Sequence, residues 1–237
     1  MAVNADAPGN RARKNEVFTT PYWNPVGGSP QADDDNLLGA LHLLEAARFV
    51  VRDLQLINVK TGPPLRVEFL LADATYERFV LSYGQSLRRL GIDSAVRVVD
   101  AVQYENRLRN WEFDIVVAAW AETLMPGNEQ RDYWGSRAAH TPGSQNLIGI
   151  ADKAIDALID RVVLAADRDE LVAATRALDR VLLWHHYVVP QWNFGKIRTA
   201  RWDRFAKPGI MPIYGLSAFP AIWWWDAERP DKISTER

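Results

Sequence analysis

A chain of 237 residues, 48% hydrophobic and 24% charged, has an ordinary globular composition and is long enough for one large domain or two small ones. A formal charge of −2 supplies no basic footprint and argues against nucleic acid as a partner. The absence of cysteine excludes disulfides, thiolate metal sites and a cysteine nucleophile.

Residues 1–36 collect Pro, Gly, Asn and Asp and read as an irregular lead. The opening MAVNADAPGNRARKNEV holds no apolar core, so a signal peptide is not expected there, and a cytoplasmic location follows if the chain is a complete gene product. No transmembrane run is expected anywhere. DDDNLLGALHLLEAARFV then predicts a helix capped by Asp34 or Asp35, with Leu37, Leu38, Leu41, Leu44 and Ala47 at helical spacing. After the break TGPP, the alternating LRVEFLLA of residues 65–72 predicts a strand.

TYERFVLSYGQSLRRLG predicts a second helix whose apolar face is Phe79, Tyr83, Leu87 and Leu90, ending at Gly91 in a left-handed C-terminal position. A strand near 95–100, a short helix with Tyr104 and Leu108 inward, and a third strand, FDIVVAAW over 113–120, follow. The near-unbroken apolar content of the third suits a central strand covered on both faces. Alternation of strands and helices is the signature of a layered α/β domain.

Further helices are expected over ADKAIDALIDRVVLAAD, with Ile155, Leu158, Ile159, Val162 and Val163 inward, and over RDELVAATRALDRVLLWHHY, capped by Asp167 or Asp169, with Leu171, Ala174, Leu178, Val181 and Leu182 inward. VVPQWNFG reads as an extended edge or crossover, because Pro190 cannot donate to a central ladder. The Pro-, Gly- and Trp-rich end has no clear period.

The segment LMPGNEQRDYWGS, directly after FDIVVAAW, is longer and chemically richer than a connection requires. Its Asn128, Glu129, Gln130, Arg131, Asp132, Tyr133 and Trp134 combine charges, amides and aromatic faces, which suits an orienting site for a polar ligand. Catalysis finds less support. GxSxG, P-loop, HExxH and dinucleotide glycine patterns are all absent. His185 and His186 would point about 100° apart on a helix, a poor metal pair, and read better as helix-end residues. Glu129 and Asp132 sit at acid/base spacing, but Asp132 beside Arg131 is more simply an ion pair or a solvated edge. No metal, cofactor or enzymatic activity is expected. Ten Trp residues are unusual, and Trp120, Trp134, Trp192 and the triplet Trp223, Trp224 and Trp225 suit either a Trp-rich core or a ligand surface.

SYGQSLRRLGIDSAVRVVDAVQYENRL, FDIVVAAW, PGNEQRDYWGS, TPGSQNLIGI, DALID, RDELVAATRALDRVLLWHHYVVPQW and the Trp-rich end together resemble the peptide-binding proteins of ABC-type importers, extracellular solute-binding protein family 5. More narrowly they resemble the subgroup linked to murein-peptide and microcin C uptake. The resemblance implies an α/β lobe of the type II periplasmic-binding-protein fold over 37–190, after the irregular lead of 1–36, and a tail over 191–237 that returns to the other lobe. It covers only the C-terminal part of such a protein, so a fragment is expected. It implies a periplasmic oligopeptide-binding component, with the peptide and the transporter's permease subunits as partners. The alternative is a stand-alone module, a homo-oligomer built from one lobe, or an enzyme reusing it. Self-association as a fragment is also expected, because the tail has lost its lobe.

By the same resemblance the strand FDIVVAAW ends at the cleft and the next loop faces the ligand, in line with binding beyond the carboxyl ends of strands. Trp120 then lies at the cleft, and Glu122 takes the role of an acidic residue that holds a peptide amino terminus. The subgroup has an amide there and SPGNEQ where this chain has LMPGNEQ. GSQNLIGI resembles a second cleft segment and brings Asn146 and Gly149 near the ligand.

Overall fold

The computed structural model describes residues 16–60, 62–191, 204–212 and 221–228. The chain divides into two compact units, Met1–Val188 and Val189–Arg237.

The first unit opens with a helical turn at 16–19 whose Val17 is buried in a core. Helix α1, Pro30–Ala46, follows. Its cap is Ser29, whose hydroxyl accepts from the Ala32 amide, and Pro30 occupies the first helical position. The expected caps Asp34 and Asp35 therefore lie inside the helix, which starts at 30, within the stretch expected to be irregular. Leu37, Leu41 and Leu44 pack inward, whereas Leu38 stays exposed.

The helix stops at Ala46 because Arg48 turns left-handed, with φ 66°. An unexpected hairpin follows: β1, Phe49–Arg52, pairs antiparallel with β2, Gln55–Asn58. Asp53 and Leu54, at φ 49° and 62°, form a two-residue turn of the mirror-image kind that matches strand twist. Asn-Gly is the usual signal for this turn, and Asp-Leu hides it.

A parallel sheet is the frame of the unit. Strand β3, Arg66–Leu71, lies between β4, Asp93–Val98, and β5, Ile115–Val116. The pairs Phe69↔Val96 and Phe69↔Ile115 fix the register. The three expected strands thus do neighbour one another in one sheet. The third differs from expectation: it is an edge strand of two ladder residues, and the buried central strand is β3, with Phe69, Leu70 and Leu71. An apolar run signals burial without saying against what, and chain beyond Val116 leaves the ladder for the loop it feeds.

Helix α2, Glu77–Arg89, connects β3 to β4, and its buried Val80 packs on Phe69 and Leu71. Val80 takes the place expected for Phe79 on the sheet-facing side, where the expected Tyr83 meets Phe69 edge-on at 5.9 Å and Leu87 packs against the same cluster. Its end is a Schellman motif: the Gly91 amide donates to Arg88 O and the Ile92 amide to Leu87 O, with Gly91 at φ 79°. A Cβ on Gly91 would lie 2.9 Å from the Leu56 amide, so the position needs glycine for space as well as conformation. Helix α3, Ala101–Arg109, capped by Asp100, connects β4 to β5.

Helix α4, Glu129–Trp134, is a six-residue turn inside the stretch that the sequence presents as a loop. It lacks a side-chain cap and is too short for a visible period. Helices α5, Lys153–Val163, and α6, Arg168–Trp184, pack on each other. Their core holds Ile155, Ile159, Val162, Leu171, Ala174, Leu178 and Val181, with Leu158, Val163 and Leu182 against it. Each fully buried branched aliphatic there contributes roughly 1.5–3 kcal/mol. Asp167 caps α6 by accepting from the Glu170 amide. Arg180 of α6 donates to Val17 O and Thr20 O, which pins the leading turn to the helical layer.

In the second unit, β6, Phe205–Ala206, pairs antiparallel with β7, Trp224–Trp225. Phe205 meets Trp225 edge-on at 6.1 Å. Trp192 lies outside the described residues. The expected extension VVPQWNFG falls outside them from Trp192 onward.

Candidate functional site

The chain leaves β5 at Val116 and runs without regular structure to Asn128, where α4 begins. This exit lies at the carboxyl end of a parallel strand, the end at which open α/β sheets bind ligands. Two further strips complete the site: α4 itself and the segment 144–150.

The aromatic part is contiguous. The Trp120 and Trp134 rings are 4.9 Å apart with their planes tilted by 42°, and Tyr133 meets Trp134 edge-on at 6.1 Å. Each polar tip is held. Trp120 Nε1 donates to Gln145 O at 3.0 Å, Tyr133 Oη donates to Ala121 O at 3.0 Å, and Trp134 Nε1 donates to Gln130 Oε1 at 3.0 Å. Rings with satisfied tips present apolar faces in fixed orientations.

Gln130 joins the aromatic part to the acidic part. It is buried, with its oxygen taken by Trp134 and its nitrogen donating to Glu122 Oε2 at 2.9 Å and, more weakly, to Glu129 Oε1 at 3.4 Å. One amide is thus shared by two carboxylates. Burial pushes the Glu122 carboxyl above its ordinary value; the Gln130 hydrogen bond opposes that and the Glu129 charge adds to it. At Glu129 desolvation pushes upward, but hydrogen bonds from the Gly127 amide, its own backbone and Gln130 outweigh it, and the carboxyl lies below its ordinary value.

Arg131 forms its ion pair with Asp160 of α5, at 2.6 Å, and not with the neighbouring Asp132. Helical geometry explains the difference: consecutive residues point about 100° apart, while Asp160 lies across the α4–α5 contact. Asp132 accepts from the Gln145 amide at 3.4 Å. Asn128 is exposed at the start of α4.

Asn146 is 0% exposed. Its Nδ2 donates to Gly135 O and Ile150 O at 3.1 and 2.9 Å, and its Oδ1 accepts from the Ile150 amide at 2.9 Å. It knots the segment to the end of α4 and is not free to meet a ligand, as is also true of Gln130. Gly149 is exposed at φ 74°, with open space where a Cβ would stand. The site therefore brings together Trp120, Glu122, Glu129, Asp132, Tyr133, Trp134 and the 145–149 strip, with Gln130 and Asn146 as its internal ties. Sequence reasoning missed Gln145, whose backbone is gripped at both its amide and its carbonyl, and Trp111, whose Nε1 donates to Asn146 O at 3.0 Å.

Among the described residues no His, Asp and Glu cluster could hold a metal ion. His185 ends α6 and stacks on Tyr187 at 5.1 Å, as a helix-end residue. No helix among the described residues is long and apolar enough to cross a membrane.

No family model matches the sequence. The chain is 50% identical over 209 residues to the uncharacterized protein y4wM of Sinorhizobium fredii, which covers 88% of this chain and 31% of that protein. It is 47% identical over 209 residues to the probable peptide-binding protein YejA of Agrobacterium fabrum, which covers 88% of this chain and 34% of that protein. The chain thus spans about a third of the length of the curated relatives it matches. In fold it is similar to the oligopeptide-binding protein AppA of Bacillus subtilis, solved in complex with a nonapeptide, with a TM-score of 0.55 at 16% identity over 72% of this chain and 33% of that one. By sequence the chain is thus similar to about one third of a probable peptide-binding protein, and by fold to about one third of a solved oligopeptide-binding protein.

Proposed function

We propose that this chain supplies part of the peptide-binding lobe of an oligopeptide-binding component of an ABC-type importer, working in the periplasm and delivering to permease subunits. One observation carries the reading: Trp120, Tyr133 and Trp134 form a contiguous aromatic wall beside the Glu122–Gln130–Glu129 carboxylate pair, at the carboxyl end of β5. The 47% identity to a protein named as a probable peptide-binding protein supports it. A peptide needs apolar walls for tolerant side-chain contacts and a few charges for its termini, and this surface offers both. It binds and does not catalyse. Glu122, Glu129, Asp132, Tyr133, Trp120, Asn128 and the backbone near Gly149 face the ligand. Arg131 leaves Asp160 to meet a peptide carboxylate only at the cost of an exposed ion pair, on the order of 0.2–1 kcal/mol. Residues 191–237 form a tail that packs against the remainder of the complete protein, and the isolated chain self-associates through the surface so exposed.

The test uses the Agrobacterium fabrum relative with its matched segment replaced by this chain, and short peptides in calorimetry. Tyr133→Ala and Glu122→Ala should each weaken peptide binding about 10-fold, the effect of losing an interface anchor of roughly 1.4 kcal/mol. Unchanged affinity in both, with folding verified by circular dichroism, would rule the site out.

A further inference from the structure

Helix α3 touches the site from outside it. Tyr104 lies within α3 and Trp111 two residues past its end. Tyr104 Oη donates to Val117 O at 3.3 Å, at the point where the chain leaves β5. Trp111 Nε1 donates to Asn146 O at 3.0 Å, in the second strip. Trp120, three residues beyond Val117, closes the circuit by donating to Gln145 O. The α3 end also lies beside Gly143, just before this strip, where a Cβ would meet Arg109 Cγ at 3.7 Å.

Trp111 holds its place at a conformational cost. It sits at φ 53°, the left-handed position that ends α3: its amide donates to Leu108 O and the Glu112 amide to Arg107 O, the same motif that Gly91 makes for α2. A large aromatic is an unfavourable choice for that backbone, where glycine or asparagine is at ease. Helix termination alone does not call for an indole. The indole N–H, aimed at the carbonyl that also accepts from the Gly149 amide at 3.2 Å, does.

We propose that Tyr104 and Trp111 are positioning residues, through which α3 sets the spacing between the β5 exit and the 145–149 strip and so tunes peptide affinity without contacting peptide. This rests on the functional reading above. The expected consequence is local. Trp111→Phe keeps an aromatic ring, smaller than the indole, and removes the donor, leaving the fold intact and the strip loose. Tyr104→Phe does the same at the other anchor.

Two measurements test the inference. In this chain, hydrogen exchange at the Gly149 amide should speed up about 10-fold in Trp111→Phe while α6 amides stay protected. In the relative carrying this chain, peptide affinity should fall about 5- to 20-fold in Trp111→Phe and Tyr104→Phe. Should Trp111→Phe fail to fold, Trp111→Asn, which tolerates the left-handed backbone, takes its place. Independently of any variant, the Trp111 Nε1–H resonance of the nitrogen-15-labelled parent should shift on peptide addition, which a purely structural tryptophan would not do. A parent that binds no peptide overturns the functional reading and this inference with it. A binding parent with unaltered variant affinity, or with an unmoved Trp111 resonance at saturation, overturns this inference alone.

Discussion

At Asn146 one side chain satisfies three backbone groups with no access to water. Asn146→Ala strands Ile150 O and the Ile150 amide, while Gly135 O keeps the Ala138 and Ala139 amides, and should cost about 2–4 kcal/mol in urea denaturation. Arg131→Ala, by contrast, should change stability by less than about 1 kcal/mol, because both partners of its ion pair are half exposed. Glu122 gives a pH signature. The folded chain holds its proton more tightly than the unfolded chain, whose carboxyl has the ordinary value of 4.5. Below that value both states are protonated. As pH rises past it the unfolded state ionises first, and stability is lost until the folded carboxyl has ionised too. Glu129, with its carboxyl held low, has the opposite sign: its contribution is present above 4.5 and lost as pH falls through the folded value. Glu122→Gln keeps an acceptor for Gln130 and cannot ionise. It should match the parent near pH 4 and exceed it in stability near pH 7, measured by denaturation midpoints at roughly those two values. A variant that tracks the parent at both would show the carboxyl to be unperturbed.

At the scale of elements, turns and joints decide what folds where. Leu54 is 90% exposed and holds φ 62° in the β1–β2 turn. Leu54→Gly, giving Asp-Gly, should raise stability by about 0.5–1 kcal/mol in thermal unfolding, since relief of the strained backbone outweighs glycine's added freedom in the unfolded chain. Gly135 marks a tight approach of another kind: a Cβ there would stand 2.5 Å from Arg131 O. Gly135→Ala should open the end of α4, cost about 1–3 kcal/mol and loosen the Asn146 knot, all visible as lost protection in hydrogen exchange. The helices with long periods were legible from sequence: Leu171, Ala174, Leu178 and Val181 point inward as their spacing requires. So was the Gly91 terminus. The hairpin was not, because Asp-Leu replaces the usual turn pair, and neither was α4, whose six residues are too few to show a period. At the site, the residue types suggested a ligand surface, and the sequence did not show which of them are tied inward. Gln130 and Asn146 are as polar as Glu129 and Asp132, and only their partners show that they look inward.

At the scale of the molecule, the helical core closes around a residue far away in sequence. Val17 lies in it, and Arg180 clasps Val17 O and Thr20 O from 163 and 160 residues away. Arg180→Leu should free the leading turn, cost about 1–3 kcal/mol, and admit limited proteolysis near residue 20. Unaltered protease resistance would show the clasp to be redundant. The clasp also has a meaning in time. A ribosome adds roughly 5–20 residues per second, so the 16–20 turn waits on the order of 10–30 s before the arginine that will hold it has been made. Throughout that interval the apolar Val17 side chain lacks the complete core that buries it. The helix that carries Arg180 is thus the one that lets the turn at 16–20 settle.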